Sequence, residues 1–223
     1  VTKHEVYHDF VAALERQGYF VWADRVPCIE YGLPQHRRRH VLLASKLGPI
    51  SLITKTHEGK PVTVEDAIGH FPRLAAGERD PKDPLLRSAS LTPVNLKRII
   101  YSRPGGTWKD WPTDLRALCH QKDSGKTYPS VYGRMRWEEP GPTMTTLCYG
   151  FGNGRFGHPE QNRAISLREA ATLQSFPIDY EFMPVDKINF KSVGRMIGNA
   201  VPVRLGEVIG ISLKRHLEQL QKV

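Results

Sequence analysis

The chain of 223 residues lacks the features typical of membrane, disulfide-stapled and thiolate-metal proteins. No apolar run approaches the roughly 18 residues of a membrane-spanning helix, and no signal-peptide pattern opens the sequence. Its three cysteines, Cys28, Cys119 and Cys148, are odd in number and have no C-x-x-C spacing. Neither a disulfide framework nor a thiolate zinc site is indicated, and we predict a soluble, cytoplasmic protein with no membrane partner.

Acidic residues are also fewer than basic ones. Lysine and arginine number 32 against 23 aspartates and glutamates, which gives a formal net charge of +9. Between residues 95 and 136 nine basic residues face three acidic ones, and tryptophan and tyrosine are interleaved with them. Clustered cations beside stacking side chains suit phosphate and base contacts, so a nucleic acid is the expected partner. The composition equally suits an ordinary solvated face over a small core.

Periodicity and turn signals predict an α/β arrangement at the start of the chain. Apolar residues at helical spacing before Gly18 predict a helix, and residues 19–23 and 40–45 have strand-like apolar runs. A short helix after Thr63 and a second helix at Thr92 and Pro93 follow. A domain boundary is expected near residues 46–60.

Two exact motif matches carry little weight. His4 and His8 fit H-E-x-x-H, the spacing of a zinc peptidase helix, but no third ligand follows in the sequence. Residues 152–157 (GNGRFG) match the dinucleotide pattern G-x-G-x-x-G, but Pro159 blocks the helix that a pyrophosphate site requires. We interpret the first as a weak alternative, a zinc hydrolase, and the second as a glycine-rich loop.

Three separated segments are more informative. In an extended chain, Gln35, Arg37 and Arg39 share one face, where donor-rich side chains could meet a phosphate or a base edge. An exposed basic turn is the competing interpretation. Residues 163–177 (RAISLREAATLQSFP) contain a capping box and predict a scaffold helix, and residues 198–202 (GNAVP) lead into a final amphipathic helix.

In this order, the three segments resemble the closing half of DNA cytosine-5 methyltransferases. Residues 35–39 look like that family's Q-x-R-x-R motif, residues 163–177 like its R-x-x-x-x-R-E-A-x-x-L-Q-x-F-P motif, and residues 198–202 like its terminal G-N-A-V-P motif. The resemblance implies the end of an S-adenosylmethionine-dependent methyltransferase (Rossmann-like) α/β sheet with a small, irregular, mostly β target-recognition domain. The implied domains are residues 1–48 and 191–223 for the catalytic part and residues 49–190 for target recognition.

The resemblance also implies roles for individual residues. Arg39 would contact a cytosine flipped out of double-stranded DNA, Arg37 and Gln35 would order that site, and Asn199 with Val201 would touch the amino-acid end of S-adenosylmethionine. Base flipping costs a few kcal/mol, which DNA contacts must offset. The residues expected to contact DNA are Arg134, Arg136, Thr143, Thr145, Arg155 and Arg163. A bacterial cytoplasmic or chromosome-associated location would follow.

The nucleophile of the family is missing from the sequence. Its Pro-Cys-Gln and Glu-Asn-Val motifs and its glycine-rich cofactor loop have no counterpart here, and Pro27 and Cys28 stand too close to residues 35–39 to replace the first. We therefore predict that Cys28 is structural. The expectation is a C-terminal part that is inactive alone and works with an N-terminal catalytic half; the alternative is a DNA-binding module without catalysis.

Overall fold

The computed structural model describes residues 2–127 and 129–220. This part of the chain forms one pair of strands, β1 (Phe20–Pro27) and β2 (Arg38–Ser45), together with α-helices and short 3-10 turns. The helices are α1 (Glu5–Arg16), α2 (Val64–Ile68), α3 (Pro93–Tyr101), α4 (Leu118–Gln121), α5 (Leu167–Leu173), α6 (Phe190–Asn199) and α7 (Val203–Leu220).

The strands β1 and β2 pair antiparallel and carry a helix on each face. Their register runs from Phe20 opposite Ser45 to Pro27 opposite Arg38. On one face the Tyr7 hydroxyl of α1 lies 2.8 Å from Nε2 of His40. On the other face α7 packs against a set of buried residues that we call the strand cluster: Val26, Cys28, Tyr31, Leu33, Val41, Leu43, Ile50, Leu205 and Val208. The predicted helix and both predicted strands are confirmed, with longer strands than the apolar runs indicated.

The largest core, here called the central cluster, lies in the second half of the chain. It combines buried side chains of α2, α5 and α6 with Met135, Met144 and Phe156 from the loops between them. The predicted capping box of α5 is confirmed: Ser166 Oγ accepts from the Glu169 N–H at 3.1 Å, and a Glu169 carboxylate oxygen accepts from the Ser166 N–H at 2.6 Å. A smaller aromatic cluster gathers Ile99, Trp108, Trp111, Leu115, Phe151 and Ala164.

The prediction that residues 49–190 are mostly β is wrong. In the described part of that range no extended strand forms, and β structure is limited to isolated bridges such as Pro104 with Arg134 and Arg134 with Gly157. Prolines and glycines recur between these bridges, and they remove ladder donors and side-chain packing, so pairing does not extend along the chain. The region is irregular, as expected, but it is held by helices and buried side chains.

Helices α6 and α7 pack on different cores. Within Phe190–Gln219, a window of 18 residues reaches the mean hydropathy, 1.2, of a membrane-spanning helix. The segment forms two helices, because α6 ends at Asn199 and α7 begins after Pro202. The inner face of α6 belongs to the central cluster and that of α7 to the strand cluster. Only α7 therefore returns to the strands, whereas the predicted division fell at residue 190.

Candidate nucleic-acid interface

Gln35 joins the first of the three segments to the second. Its side chain is fully buried, and its Nε2 donates to Leu173 O at 2.7 Å and to Gln174 Oε1 at 2.6 Å. Its Oε1 accepts from the Met144 N–H at 3.0 Å. One carboxamide thus binds the end of α5 and the loop around Met144 to the chain that precedes β2.

Arg37 joins the first segment to the third. Its Nη1 donates to Met144 O at 2.9 Å and its Nη2 to Gly198 O at 3.2 Å, while Nε is buried without a hydrogen bond to any described residue. Gln174 completes the connection by donating to Ala200 O at 2.9 Å. The three segments recognised in the sequence therefore meet at one place.

Gly198 permits this close approach. A Cβ built on it would lie 2.3 Å from the backbone of Thr145 and of Thr146, far inside van der Waals contact. The end of α6 can therefore lie directly against the loop that Gln35 and Arg37 hold. Gly198 is a packing requirement of the G-N-A-V-P segment, which the sequence alone did not indicate.

The side chains of residues 35–39 alternate between two faces, as expected of an extended chain, but Gln35 and Arg37 are buried against protein groups, which the sequence did not predict. Gln35 and Arg37 are buried, whereas His36 and Arg38 are exposed and Arg39 is partly exposed. The Arg39 guanidinium donates only to the adjacent Arg38 carbonyl, at 3.0 Å, among the described residues. Its other N–H groups stay available in a cleft of about 430 Å³, which we call the first cleft.

The first cleft is strongly basic, and a second cleft of about 500 Å³ adjoins it. Arg25, Arg38 and Arg39 line the first cleft, and Arg136 and Arg155 line the second. His36 and Thr143 line both clefts. These two residues form a ridge between the clefts, and a short hydrogen bond from Thr143 Oγ1 to His36 O connects them.

Arg25 and His36 were missed by the sequence reasoning. Arg25 lies on β1 opposite His40, so strand pairing brings it to the cleft, and no local motif marks it. His36 lies inside the Q-x-R-x-R segment, on the face opposite to Gln35 and Arg37, and that alternation was the signal that could have found it. Both clefts together form a continuous, positively charged surface suited to a phosphate backbone.

Arg134 was expected to contact DNA, but its side chain lies inside the protein and binds backbone carbonyls there. It is 4% exposed, and burial lowers its pKa to about 10. Its guanidinium donates to four backbone carbonyls, those of Ile99, Ser102, His158 and Gln161, at 2.6 to 3.2 Å. It also makes a short bond to Asn162 Oδ1. With its donors engaged inside the protein, the DNA-binding prediction for this residue is wrong.

Arg163 is likewise internal. It is fully buried and forms two hydrogen bonds of 2.7 Å with the two carboxylate oxygens of Glu169, which is also fully buried. Burial acts to raise the pKa of Glu169, but the hydrogen bonds and charge of Arg163 outweigh it, and the pKa is lowered. The predicted DNA contact is wrong because the fork of this arginine faces a carboxylate.

The remaining predicted residues lie at the surface. Thr143 and Thr145 are exposed in the loop that contacts Gly198, and Thr143 lines both clefts. Asn199 and Val201 are exposed on either side of Ala200, which Gln174 holds. No described residue hydrogen-bonds to the Asn199 side chain. These two residues thus border the junction without entering either cleft.

The two buried cysteines, Cys28 and Cys148, are not activated. Burial raises the pKa of Cys28 to about 11 and that of Cys148 to about 12, so both are protonated thiols at neutral pH. The thiolate is the nucleophilic form, so burial disfavours both as nucleophiles. The prediction that Cys28 is structural is confirmed: it packs in the strand cluster.

Neither of the two motif matches, H-E-x-x-H and G-x-G-x-x-G, forms the binding site that its pattern is typical of. Within residues 2–127 and 129–220 no group of three His, Cys, Asp or Glu side chains is arranged to hold a metal ion, and His8 instead packs edge-on against Tyr7. The glycine-rich stretch begins with a 3-10 turn at Phe151–Asn153, and Phe156 is buried. No helix follows it, as Pro159 predicted.

Comparison with known proteins gives a consistent result. The family model described as C-5 cytosine-specific DNA methylase matches residues 1–215. The chain is 52% identical over 222 residues to the type II methylase M.HgiDII of Herpetosiphon aurantiacus, covering 99% of this chain and 63% of that protein. It is 32% identical over 211 residues to the type II methyltransferase M1.HphI of Haemophilus parahaemolyticus, covering 93% of this chain and 50% of that protein. The chain thus spans half to two thirds of the length of these relatives.

Solved structures agree in fold. The chain is similar to a DNA modification methyltransferase encoded within a prophage (E. coli), with a TM-score of 0.68, 20% identity, and coverage of 97% of this chain and 66% of that one. It is also similar to the methyltransferase EhMeth of Entamoeba histolytica, with a TM-score of 0.56, 14% identity, and coverage of 97% and 60%. At these identities the likeness concerns the α/β methyltransferase fold.

Proposed function

Because this chain belongs to the C-5 cytosine-specific DNA methylase family, we propose that it is the C-terminal part of an enzyme that methylates C5 of a cytosine flipped out of double-stranded DNA. C-5 cytosine methyltransferases use S-adenosylmethionine as the methyl donor. The observation that carries the proposal is the junction of the three segments beside the basic clefts. Gln35 and Arg37 fix this junction, and Arg39 keeps free donors at its edge.

In this proposal Arg39 contacts the flipped cytosine, and Arg37 and Gln35 position the chain that carries it. A guanidinium offers several N–H donors in a rigid fork, which suits the carbonyl of a base or the phosphate next to it. Arg37 lines the first cleft, and its buried Nε has no hydrogen bond to a described residue. Base extrusion is offset by backbone contacts to Arg25, Arg38, Arg136 and Arg155.

The nucleophile is supplied by an N-terminal catalytic half, on a separate chain or an adjoining segment. Two observations support this. The buried thiols of Cys28 and Cys148 are protonated at neutral pH. In addition, a lone antiparallel strand pair is marginally stable and has unpaired edges, and α1 keeps Val6 and Phe10 exposed beside it. Further strands and apolar contacts from a catalytic half would complete that sheet.

The end of α6 fits the border of a cofactor site. The Asn199 carboxamide makes no hydrogen bond to a described residue, and its donor and acceptor suit the amino-acid end of S-adenosylmethionine; Val201 is exposed two residues further along the chain. Arg37 and Gln174 hold the intervening backbone in place. These residues would bind and orient the donor at one edge, while the remaining contacts come from the catalytic half.

We assign residues 49–190 to target recognition, with Thr143, Thr145, Arg136 and Arg155 nearest the DNA. Arg136 and Arg155 come from the central region, whereas Arg25, Arg38 and Arg39 come from the strand pair. A duplex lying across the ridge of His36 and Thr143 would meet both sets at once.

Reconstitution tests the proposal. The chain is mixed with the part of the Herpetosiphon aurantiacus relative that lies outside the matched region, and complex formation is verified by gel filtration. Labelled methyl transfer from S-adenosylmethionine to cytosine should appear only in the mixture. Arg39→Ala should lower it by about 100-fold, as does loss of one preorganised donor in other enzymes. Arg215→Ala, at an exposed arginine outside both clefts, should leave it unchanged. A complex that binds DNA and transfers no methyl group contradicts the proposal.

A DNA-binding module without catalysis is the second candidate, favoured by the lack of an activated thiol at Cys28 and Cys148. The sequence immediately upstream separates the two. An open reading frame or in-frame extension with Pro-Cys-Gln supports the enzyme, and its absence together with DNA binding supports the module.

A further inference from the structure

The end of α5 contacts the turn between α6 and α7. Helix α7 begins at Val203, and the residue before it is Pro202, whose side chain has no hydrogen-bond acceptor. The backbone N–H groups in the first turn of a helix have no partner within the helix, and the side chain of the preceding residue commonly binds one of them. In α7 such a partner has to come from another part of the chain.

Ser175 is that partner. Its Oγ accepts from the Arg204 N–H, in the first turn of α7, at 3.0 Å and donates to the Gln174 carbonyl at 2.6 Å. Ser175 and Arg204 are 29 positions apart in the sequence. The hydroxyl therefore fixes the start of α7 to the end of α5.

The backbone conformation of Ser175 is one that glycine usually adopts. The Ser175 N–H donates to Thr172 O at 2.8 Å and the Phe176 N–H donates to Ala171 O at 3.0 Å, a pair of bonds that ends many helices with a left-handed residue. Ser175 is that residue, with a φ of +63°. Glycine is preferred there because a Cβ makes the conformation unfavourable. The end of α5 alone therefore does not account for a serine, whereas the contact of its hydroxyl with α7 does.

Gln174 binds the same turn from its other side. Its side chain is fully buried, and its Nε2 donates to Ala200 O at 2.9 Å. Two consecutive residues thus fix the turn, Gln174 at its beginning and Ser175 at the start of α7. The turn carries Asn199 and Val201, whose side chains are exposed. It is therefore oriented before a ligand arrives, which reduces the entropy lost on binding.

Resting on the function proposed above, we propose that Ser175 is a positioning residue for S-adenosylmethionine and acts through the turn between α6 and α7. The serine does not touch the cofactor. Its hydroxyl holds the start of α7, and together with Gln174 it keeps Asn199 and Val201 in the orientation that binds the amino-acid end of the cofactor.

Ser175→Gly separates the two roles of this residue. Glycine preserves the end of α5 and removes the hydroxyl, so the urea midpoint of the full chain should stay within about 0.5 M of the wild-type value. In the complex with the N-terminal half, calorimetric titration should show that S-adenosylmethionine binds about fivefold more weakly, the loss expected for one helix cap. Ser175→Asn, which offers an acceptor and tolerates the left-handed backbone, should bind it within about twofold of the wild type.

Ser212→Ala is the matched control. The Ser212 hydroxyl also joins α7 to another segment, because its Oγ accepts from the Ile53 N–H at 2.9 Å and donates to Val208 O at 2.7 Å. It lies about two and a half helical turns beyond the start of α7. Its loss should lower the urea midpoint and leave the affinity for S-adenosylmethionine within about twofold. If the Ser212 and Ser175 variants weaken cofactor binding equally, α7 is loosened in general and the inference is wrong.

A second measurement needs no cofactor. In the full chain, hydrogen exchange of the Arg204 amide, followed by NMR, should be faster in Ser175→Gly than in the wild type. An unchanged exchange rate means that the hydroxyl does not hold α7, and it overturns the inference. Unchanged affinity for S-adenosylmethionine in Ser175→Gly also overturns it, while the proposed function stands. A wild-type complex that binds no S-adenosylmethionine contradicts the proposed function and, with it, this inference.

Discussion

Helices α5 and α1 are both amphipathic, but their apolar faces meet different surroundings. In α5 the residues Leu167, Ala170, Ala171 and Leu173 are all buried in the central cluster. In α1 no residue is buried, and Val6 and Phe10 are 77% and 53% exposed. The central cluster covers the apolar residues of α5, whereas the apolar face of α1 is exposed in the described part of the chain and suits contact with a further element, which we propose is the catalytic half.

The largest effect is expected where the central cluster holds a buried ion pair. Arg163→Met leaves the Glu169 carboxylate buried without its partner and should lower the free energy of unfolding by about 3–5 kcal/mol. Adding Glu169→Leu should restore most of it, because no charge is then left unpaired. Arg73→Met, in the exposed pair with Glu160, should cost less than about 1 kcal/mol. Urea denaturation measures all three, and a double variant no more stable than the single one contradicts the explanation.

Acid should loosen the same cluster. Burial lowers the pKa of His158 from 6.5 to about 4, and its Nδ1 accepts backbone N–H groups from Glu160 and Gln161. Between pH 6.5 and pH 4 the unfolded chain binds a proton that the folded chain does not, so stability falls as the pH is lowered through that window. The loss should reach up to about 3 kcal/mol. Denaturation across this pH range should show a flatter profile for His158→Asn, and an unchanged profile would contradict this assignment.

Contact between the central cluster and the three-segment junction is tested at Gly198. Gly198→Ala should cost about 1–3 kcal/mol, since its Cβ would overlap the backbone of Thr145 and Thr146. Gly206→Ala, in α7 with no atom within 4 Å of a Cβ, should instead stabilise by up to about 1 kcal/mol. Thermal unfolding followed by circular dichroism compares them. Equal behaviour of the two variants would mean that the junction is not tightly packed.

The smallest change in stability is expected on α1. Phe10→Ser should alter the free energy of unfolding by less than about 0.5 kcal/mol, because the ring is exposed in this chain. Its association with the N-terminal half should weaken by about tenfold, which corresponds to about 1.4 kcal/mol of lost apolar contact. Leu118→Ser, at a 79% exposed residue of α4, is the control that should change neither. Unaltered association of Phe10→Ser would count against α1 as the contact surface.

Local signals in the sequence were sufficient for the helix starts and for the alternation around Gln35. Ser166 with Glu169, and Thr92 with Pro93, act within one turn of the chain, so spacing alone identifies them. The burial of Arg134 and its hydrogen bonds to backbone carbonyls were not predictable in this way. Its acceptors belong to residues 99, 102, 158 and 161, and no local pattern reports that a guanidinium will meet carbonyls from such distant segments.

Arg25 illustrates the same limit at the candidate site. Its place beside Arg38 and Arg39 follows from the register of β1 and β2, which is set across a loop and not by the residues around it. Composition indicated a basic surface in residues 95–136, yet the clefts draw equally on arginines outside that range. The charge count predicts a nucleic-acid partner, and only the tertiary structure could identify which arginines remain exposed.

The hydrogen bonds of Gln35 and Arg37 join residues 107 to 161 positions apart in the chain. Contacts of such sequence separation require large loops to close first, which places them late in folding, after the local helices and the two clusters have formed. Interactions absent from the folding transition state govern the rate of unfolding. We therefore expect the hydrogen bonds of the Gln35 carboxamide to slow unfolding. Gln35→Ala should speed unfolding in stopped-flow experiments and leave the folding rate nearly unchanged.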